Sequence, residues 1–415
     1  MSVLKQKGVS LIELMVALVI GALLVLGLVQ VFSASKTSYL LAQGLSRTQE
    51  NGRFAMEYLQ RDLRLAGHFG CVSDQAHFQA NANNAFGELF LSNRADYSTV
   101  SGGNFSDALR FDFSIQGYEA TGSAPTDTVT IGETPTAGAA GDWTPALPKI
   151  LQTAGGAGDP PAPVRGSDIV VLRFLSPESA EVTSFVMGSP SASGSVTVDA
   201  AQLTAMNKGI VKPGLYGIAD CRSVTMFHAS DVADSAGRTT FTIQAGSGKI
   251  NQSPFNIADN YDSAQARVYR AESVAYYVGI NPATNSPSLY RLRFNVEPKG
   301  TAVARTAEEL VPGVESLQLL YGQDSAVAAN SRPTGYINSS ETASGIKLTD
   351  GAQNGWHRVG AVKVGLLVRS PDRAAAPKRD TDVFVLGTKM TLPADNRYRS
   401  TYETNIALRN RLYGN

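Results

Sequence analysis

Few residues in this sequence have types and spacing that could do chemistry, and the most conspicuous is a single carboxylate. In KGVSLIELMVALVIG, Lys7 to Gly21, Glu13 lies inside an otherwise apolar run. An ionisable group there costs roughly 2.5–3.5 kcal/mol to place in a bilayer, and such residues usually mark function. The other candidates carry less. His68, His77, His228 and His357 are scattered, His68 and His77 do not share a metal-binding helical spacing, and no HExxH occurs. No GxSxG nucleophile elbow is present. QAGSGK, Gln244 to Lys249, has Ile243 and Ile250 where a phosphate loop needs a glycine and a Ser/Thr, so it reads as a turn. DVADSAGR, Asp231 to Arg238, sets two carboxylates before a glycine without the spacing of an EF-hand. No catalytic, cofactor or metal site follows from these residues, and the chain does not read as an enzyme.

Cys71 and Cys221 are the two cysteines. In an exported protein they are a candidate disulfide; the alternative is two buried thiols, and no second pair exists to build a metal site. The 36 basic and 36 acidic side chains cancel, which argues against a protein that coats nucleic acid. A local basic patch remains open at Arg397, Arg399, Arg409 and Arg411. With Asp395 and Glu403 nearby, these arginines read as a salt-bridged surface.

The elements that must position Glu13 begin with a short polar leader, residues 1–8, carrying Lys5 and Lys7. Leu14 to Phe32 then contains one polar residue, Gln30, and is nearly long enough to span a hydrocarbon core. Lysines before the run predict a cytoplasmic N-terminus. A secretory signal peptide is one reading, with Ser33-Ala34-Ser35 as a poor cleavage site. A plain anchor with Glu13 snorkelling at its edge is another. Beyond Phe32, Tyr39, Leu40, Leu41 and Leu45 continue a helical pattern. Phe54, Tyr58, Leu59, Leu63 and Ala66 define an apolar face opposite Arg53, Glu57, Gln60, Arg61 and Arg64. One helix from Val9 to about Ala66, stopped by Gly67, is expected. From residue 68 the chain reads as strands: Asp168 to Leu175, Thr239 to Ile243, Ser273 to Ile280, Ser288 to Phe294 and Ala361 to Arg369. Pro/Gly-rich loops separate them, and the glycine content suits a β-rich or α+β domain.

GVSLIELMVALVIG resembles the class III leader of type IV pilins. The resemblance implies prepilin peptidase cleavage between Gly8 and Val9, N-methylation of the new amine, and Glu13 as the fifth mature residue. Valine stands where these families most often begin with phenylalanine. In pilin-like proteins that glutamate pairs with the amine of a neighbouring subunit and sets assembly register. GRFAMEYLQRDLRLAGHFGC, GIADC, LVPGVESLQLLYG, WHRVGAVKVGLLVRS and TYETNIALRNRL are similar to the PilW family of minor pilins. The implied fold is α+β and pilin-like: a long N-terminal helix, half transmembrane, packed on a large antiparallel β-sheet domain. The implied parts are a leader (1–8), a hydrophobic half-helix (9–35), an amphipathic half-helix (36–67) and a periplasmic domain (68–415). The interval 78–165 reads as an insertion.

The resemblance further implies a minor pilin of a priming or tip complex, supporting twitching and adhesion. Its partners would be other minor pilins, the major pilin, a tip adhesin, the prepilin peptidase and the inner-membrane assembly platform, with no nucleic acid. Its place would be the inner membrane and then the pilus tip. A J-type pseudopilin of type II secretion is the alternative within the same machinery. A membrane-anchored periplasmic module binding DNA or another ligand is the alternative of another class.

Overall fold

The computed structural model describes residues 8–71, 108–111, 114–152, 159–186, 188, 192–221, 224–246, 249–251, 261, 265–325, 334–347, 355–374 and 383–411. The leader residues before Gly8, His77 and the first part of the 78–165 interval lie outside them.

Helix α1 spans Leu11–Leu65, so the sequence boundaries hold to within two residues. Ser10 caps its start: the Glu13 N–H donates to Ser10 Oγ at 3.2 Å, and Glu13 Oε2 accepts the Ser10 N–H at 3.0 Å. At the far end Gly67 takes φ +76°, and its N–H turns to the Arg173 carbonyl. At 1.5 Å per residue the helix is about 80 Å long.

The strands follow in chain order. β1 is Ile115–Ala120, β2 Thr128–Thr130, β3 Trp143–Thr144, β4 Ile169–Val186 and β5 Gly194–Asp199. A short helix α2, Ala200–Met206, precedes β6 (Leu215–Ala219), β7 (Val224–His228), β8 (Asp231–Ser235) and β9 (Arg238–Ile243). β10 is Arg267–Asn281, β11 Ser286–Asn295, β12 Ala304–Pro312, β13 Val314–Gln323 and β14 Ser339–Glu341. β15 (Val359–Arg369), β16 (Val383–Val385), β17 (Thr388–Thr391) and β18 (Arg399–Ala407) complete the domain.

These strands build an 11-stranded sheet ordered β12-β11-β10-β4-β5-β9-β8, with β1, β3, β6 and β7 attached beside it. A four-stranded sheet runs β14-β13-β15-β18, and a three-stranded sheet runs β16-β17-β2. Pairing is antiparallel except between β17 and β2. The alternation in β11 is the one expected, with Tyr290, Leu292 and Phe294 buried and Arg291 and Arg293 half-buried. β4 runs well past the expected Leu175 because Pro177 sits in an irregularity. Leu175 pairs with Ala271 and Ser179 with Tyr269, leaving Pro177 outside the ladder, where its missing N–H costs nothing. Ser176 Oγ accepts the Arg270 N–H at 3.1 Å and closes the gap. Part of the interval read as an insertion is built into the body: β1 pairs with β4, and β2 with β17.

The second half of α1 lies on the domain and the first half does not. Leu11 through Phe32 are exposed along the helix apart from half-buried Gly21. The seated face is Gly44, Thr48, Gly52, Ala55, Leu59, Asp62 and Leu63. Phe54, placed on the inner face by its spacing, is 38% exposed. The true stripe is built from small residues, which a search for large apolar side chains passes over. A Cβ on Gly52 would lie 2.3 Å from the Tyr402 ring, and one on Gly44 would lie 2.5 Å from Ala374 Cβ. Tyr402 Oη donates to the Thr48 carbonyl at 3.1 Å, so its ring is held against the helix. Below, Ala55, Leu59, Leu63 and Ala66 join Tyr276, Val364 and Ile406 in one core.

Gly52→Ala is therefore expected to destabilise the detergent-solubilised protein by about 1–3 kcal/mol through overpacking. Gly27→Ala, where the added Cβ meets nothing, should leave the melting temperature within error. Equal melting temperatures for both variants would show that the helix does not need this close approach.

Candidate functional site

At the N-terminus, Gly8 and Val9 precede the helix in exposed, non-helical chain, and Val9 is 72% exposed. Glu13 lies one helical turn further on. One of its oxygens holds the Ser10 N–H, and a carboxylate has room for further donors. The surrounding helix surface is apolar on all sides. Among the described residues, α1 is the one helix long and apolar enough to cross a membrane.

The mounting of this helix is polar at two points. Asp62, buried on the inner face, accepts Tyr276 Oη at 2.5 Å, Arg61 Nε at 3.0 Å and Arg291 Nη1 at 3.4 Å. Arg291 also holds Glu308 of β12 at 2.7 Å. Burial pushes the Tyr276 phenol well up, and the Asp62 charge adds to it, so Tyr276 stays a donor. Removing one partner of such a buried group usually costs several kcal/mol, which ties the C-terminal turns of α1 to β10 and β11. Nearer the bare half of α1, Arg399 of β18 forks onto Glu315 of β13 at 2.7 and 2.9 Å, and onto Asp395 at 2.6 and 2.7 Å. Arg369 of β15 reaches Glu315 at 3.2 Å. This cluster fixes the segment around Ser370, Ala374 and Tyr398 on which Gly44 rests.

A third buried group joins the two larger sheets. Asp168 Oδ1 accepts the Ala120 N–H of β1 at 2.9 Å, and Oδ2 accepts the Leu319 N–H of β13 at 2.8 Å. Glu119 lies beside it, both sharing the Ser123 hydroxyl at 3.3–3.5 Å. Burial raises the Glu119 carboxyl to about 9, with Asp168 adding repulsion; burial also raises Asp168. Glu119 is thus the protonated member at neutral pH. The pair is enclosed in the core (Glu119 is 5% and Asp168 2% exposed), a position suited to joining sheets and not to meeting substrate.

The remaining residues marked by the sequence are structural. His68 Nδ1 meets the Leu175 carbonyl at 2.8 Å, and His228 Nε2 meets the Glu297 carbonyl at 2.9 Å. Asp231–Ser235 and Arg238–Ile243 form a hairpin turned at Ala236-Gly237, both with positive φ. Asp231 pairs with Lys299, and no group of three or more metal-ligating side chains occurs among the described residues. Of the tail arginines, Arg409 is exposed and Arg397 half-buried, but Arg399 and Arg411 are buried, which corrects the surface reading for those two: the salt bridges of Arg399 are inside. Cys71 and Cys221 are joined in a disulfide with Cα atoms 4.6 Å apart, tying the loop after α1 to the end of β6. Asp62, Asp168 and Glu315 gave no signal in the sequence, because a lone acid in a polar stretch looks the same exposed or buried.

Residues 4–29 match a family model described as the prokaryotic N-terminal methylation motif. A long helix, half bare and apolar, on an antiparallel β domain behind that motif defines a membrane-anchored, type IV pilin-like protein. Residues 275–410, from within β10 to the last short helix, match the model of the type IV pilus-assembly protein W family, PilW. Over these two stretches, the start of the chain and its C-terminal third, the chain is similar to PilW-family type IV pilins. Among solved structures, a type IV-like pilin from Thermus thermophilus is similar at 18% identity, over 35% of this chain and 70% of that one, with a TM-score of 0.22. No curated protein matches the chain.

The Glu119 carboxyl sets a pH dependence. Its folded value, about 9, lies above its ordinary 4.5. Its contribution to stability is fully present below 4.5 and is lost as pH rises through about 9. Wild type should therefore lose melting temperature across this range faster than Glu119→Gln, which keeps the neutral form. Parallel pH profiles for the two proteins would contradict a raised Glu119.

Proposed function

We propose that this pilin is a minor subunit of the complex that primes type IV pilus assembly and stays at or near the pilus tip. The observation that carries the reading is the division of α1. Its first half exposes an apolar surface on every side around Glu13, while its second half is locked to a large domain. A surface of that kind is covered by lipid before assembly and by other subunits' helices afterwards. In this reading a prepilin peptidase in the inner membrane cuts between Gly8 and Val9 and methylates the new amine, with the domain on the periplasmic side. Glu13 then accepts the amine of a neighbouring subunit. An ammonium and a carboxylate, each expensive in lipid, become cheaper together, so the pair favours one register.

The capping geometry supports this role. The Ser10 N–H lies C-terminal to the cut, so Glu13 keeps its cap in the mature chain and has acceptor positions left for the amine. Minor and major pilins and the assembly platform are the partners that fit, and a tip adhesin is the element the large domain would support. The role is structural, as in the pilin-like families it matches.

N-terminal sequencing and intact mass of protein from a host with a prepilin peptidase should show N-methylated Val9. Glu13→Ala should be cut normally yet leave cells with several-fold fewer pili. A start beyond Ser35 or an uncut Met1 would remove the pilus reading, and full piliation with Glu13→Ala would remove the register role.

A further inference from the structure

A cleft opens where the three-stranded sheet meets the main body, over the Arg369–Glu315 end of the cluster that backs the helix seat. Its volume is about 360 Å³, and its walls include Thr128, Thr130, Thr136, Arg165, Glu315 and Arg369. Two features make it more than a gap between sheets. The first is a charge imbalance beneath it. Among the described residues, Arg369, Arg397 and Arg399 are clustered with Glu315 and Asp395, three cations to two carboxylates. Arg369, Arg399, Glu315 and Asp395 are each at most 5% exposed, so water screens them poorly. At the rim Arg165 is already matched by Asp142 at 3.4 Å. Glu133 lends its backbone carbonyl, and its side chain is exposed.

The second feature is the unused edge of Arg369. Its Nη1 makes both bonds of the guanidinium, to Glu315 Oε1 and to the Glu133 carbonyl, each at 3.2 Å. Nε and Nη2 have no hydrogen-bond partner among the described residues. Arg369 is also one of the residues lining the cleft. Those two N–H groups form the flat side-on fork that matches the two oxygens of a carboxylate.

We propose that this cleft is a binding site for a single carboxylate, taken bidentate by the Nε/Nη2 edge of Arg369 and flanked by threonine hydroxyls. One negative charge cancels the excess of the cluster, whereas a phosphate dianion would overshoot it. The free space admits the group that carries the carboxylate, either an acidic side chain of a neighbouring protein or a small organic acid. The site stands independently of the pilus reading, because no residue of α1 lines it.

The full chain in detergent is titrated with sodium glutarate, with a terminally blocked Gly-Glu-Gly peptide and with inorganic phosphate. Hydrogen–deuterium exchange is followed at residues 128–136 and 164–166. A carboxylate probe should slow exchange there at millimolar concentration while phosphate does not. Slowing by the peptide alone assigns the carboxylate to a protein partner, and slowing by glutarate as well admits a free acid. Arg369→Lys keeps the charge but lacks the fork, and should weaken the response by about tenfold. No slowing with either carboxylate, slowing elsewhere, equal slowing by phosphate, or an unchanged response in a folded Arg369→Lys would overturn the site. If that variant does not fold, the three probes on the wild-type protein decide it.

Discussion

One helix has to satisfy two surroundings, and the rest of the structure follows from that. Residues 11–32 of α1 are apolar on every side and exposed, a surface that lipid or other helices can cover. Residues from Gly44 to Leu63 must bury one face and leave the other wet. No break separates the halves: the helix continues through Leu65, and the change is carried by side chains alone. The domain grips the second half by close approach. Glycines at 44 and 52 let Ala374 and the Tyr402 ring come to the helix backbone, and Asp62 pins the far end to Tyr276 and Arg291.

The buried charges specify geometry more than they add stability. Isolated from water, Glu315, Asp395 and Arg399 repay their desolvation only when the fork geometry is met. That requirement fixes the relative positions of β13, β18 and the loop before β18, which back the seat of Gly44 and Gly52. Asp168 does the same between β1 and β13, accepting one backbone N–H from each sheet. Apolar packing alone would tolerate small shifts between these sheets; a carboxylate holding an N–H on each side would lose one of them.

The sequence made some of this legible because the signals were periodic. The apolar run and the alternation of β11 and β15 depend on spacing, and spacing survives in one dimension. Leu59, Leu63 and Ala66 were placed on the buried face, but the small-residue part of the seat was missed because glycine and threonine carry little hydrophobicity, and Phe54 was put there instead. β4 was cut short at Leu175 because Pro177 breaks the pattern there, although the ladder resumes beyond it. In β15 only one face was expected to be buried, yet Leu367 packs against Val383, Val385 and Met390 of the small sheet. That second face, like the fork of Arg369, depends on strands hundreds of residues apart in some cases, and no local pattern records it.

The grip and the N-terminal carboxylate act on each other through the stiffness of the helix. Each residue of α-helix turns the chain by about 100° and advances it by about 1.5 Å. A slip of one residue in the seat would therefore swing Glu13 to a different side of the filament axis while hardly changing its height. Glu13 lies roughly 45 Å from Gly44 along the helix, too far for any contact to correct its azimuth. The glycine approaches at 44 and 52 are the correction: only one rotation of α1 presents both to the domain. In the proposed assembly, the domain's hold on those two positions decides which neighbour's amine Glu13 can meet.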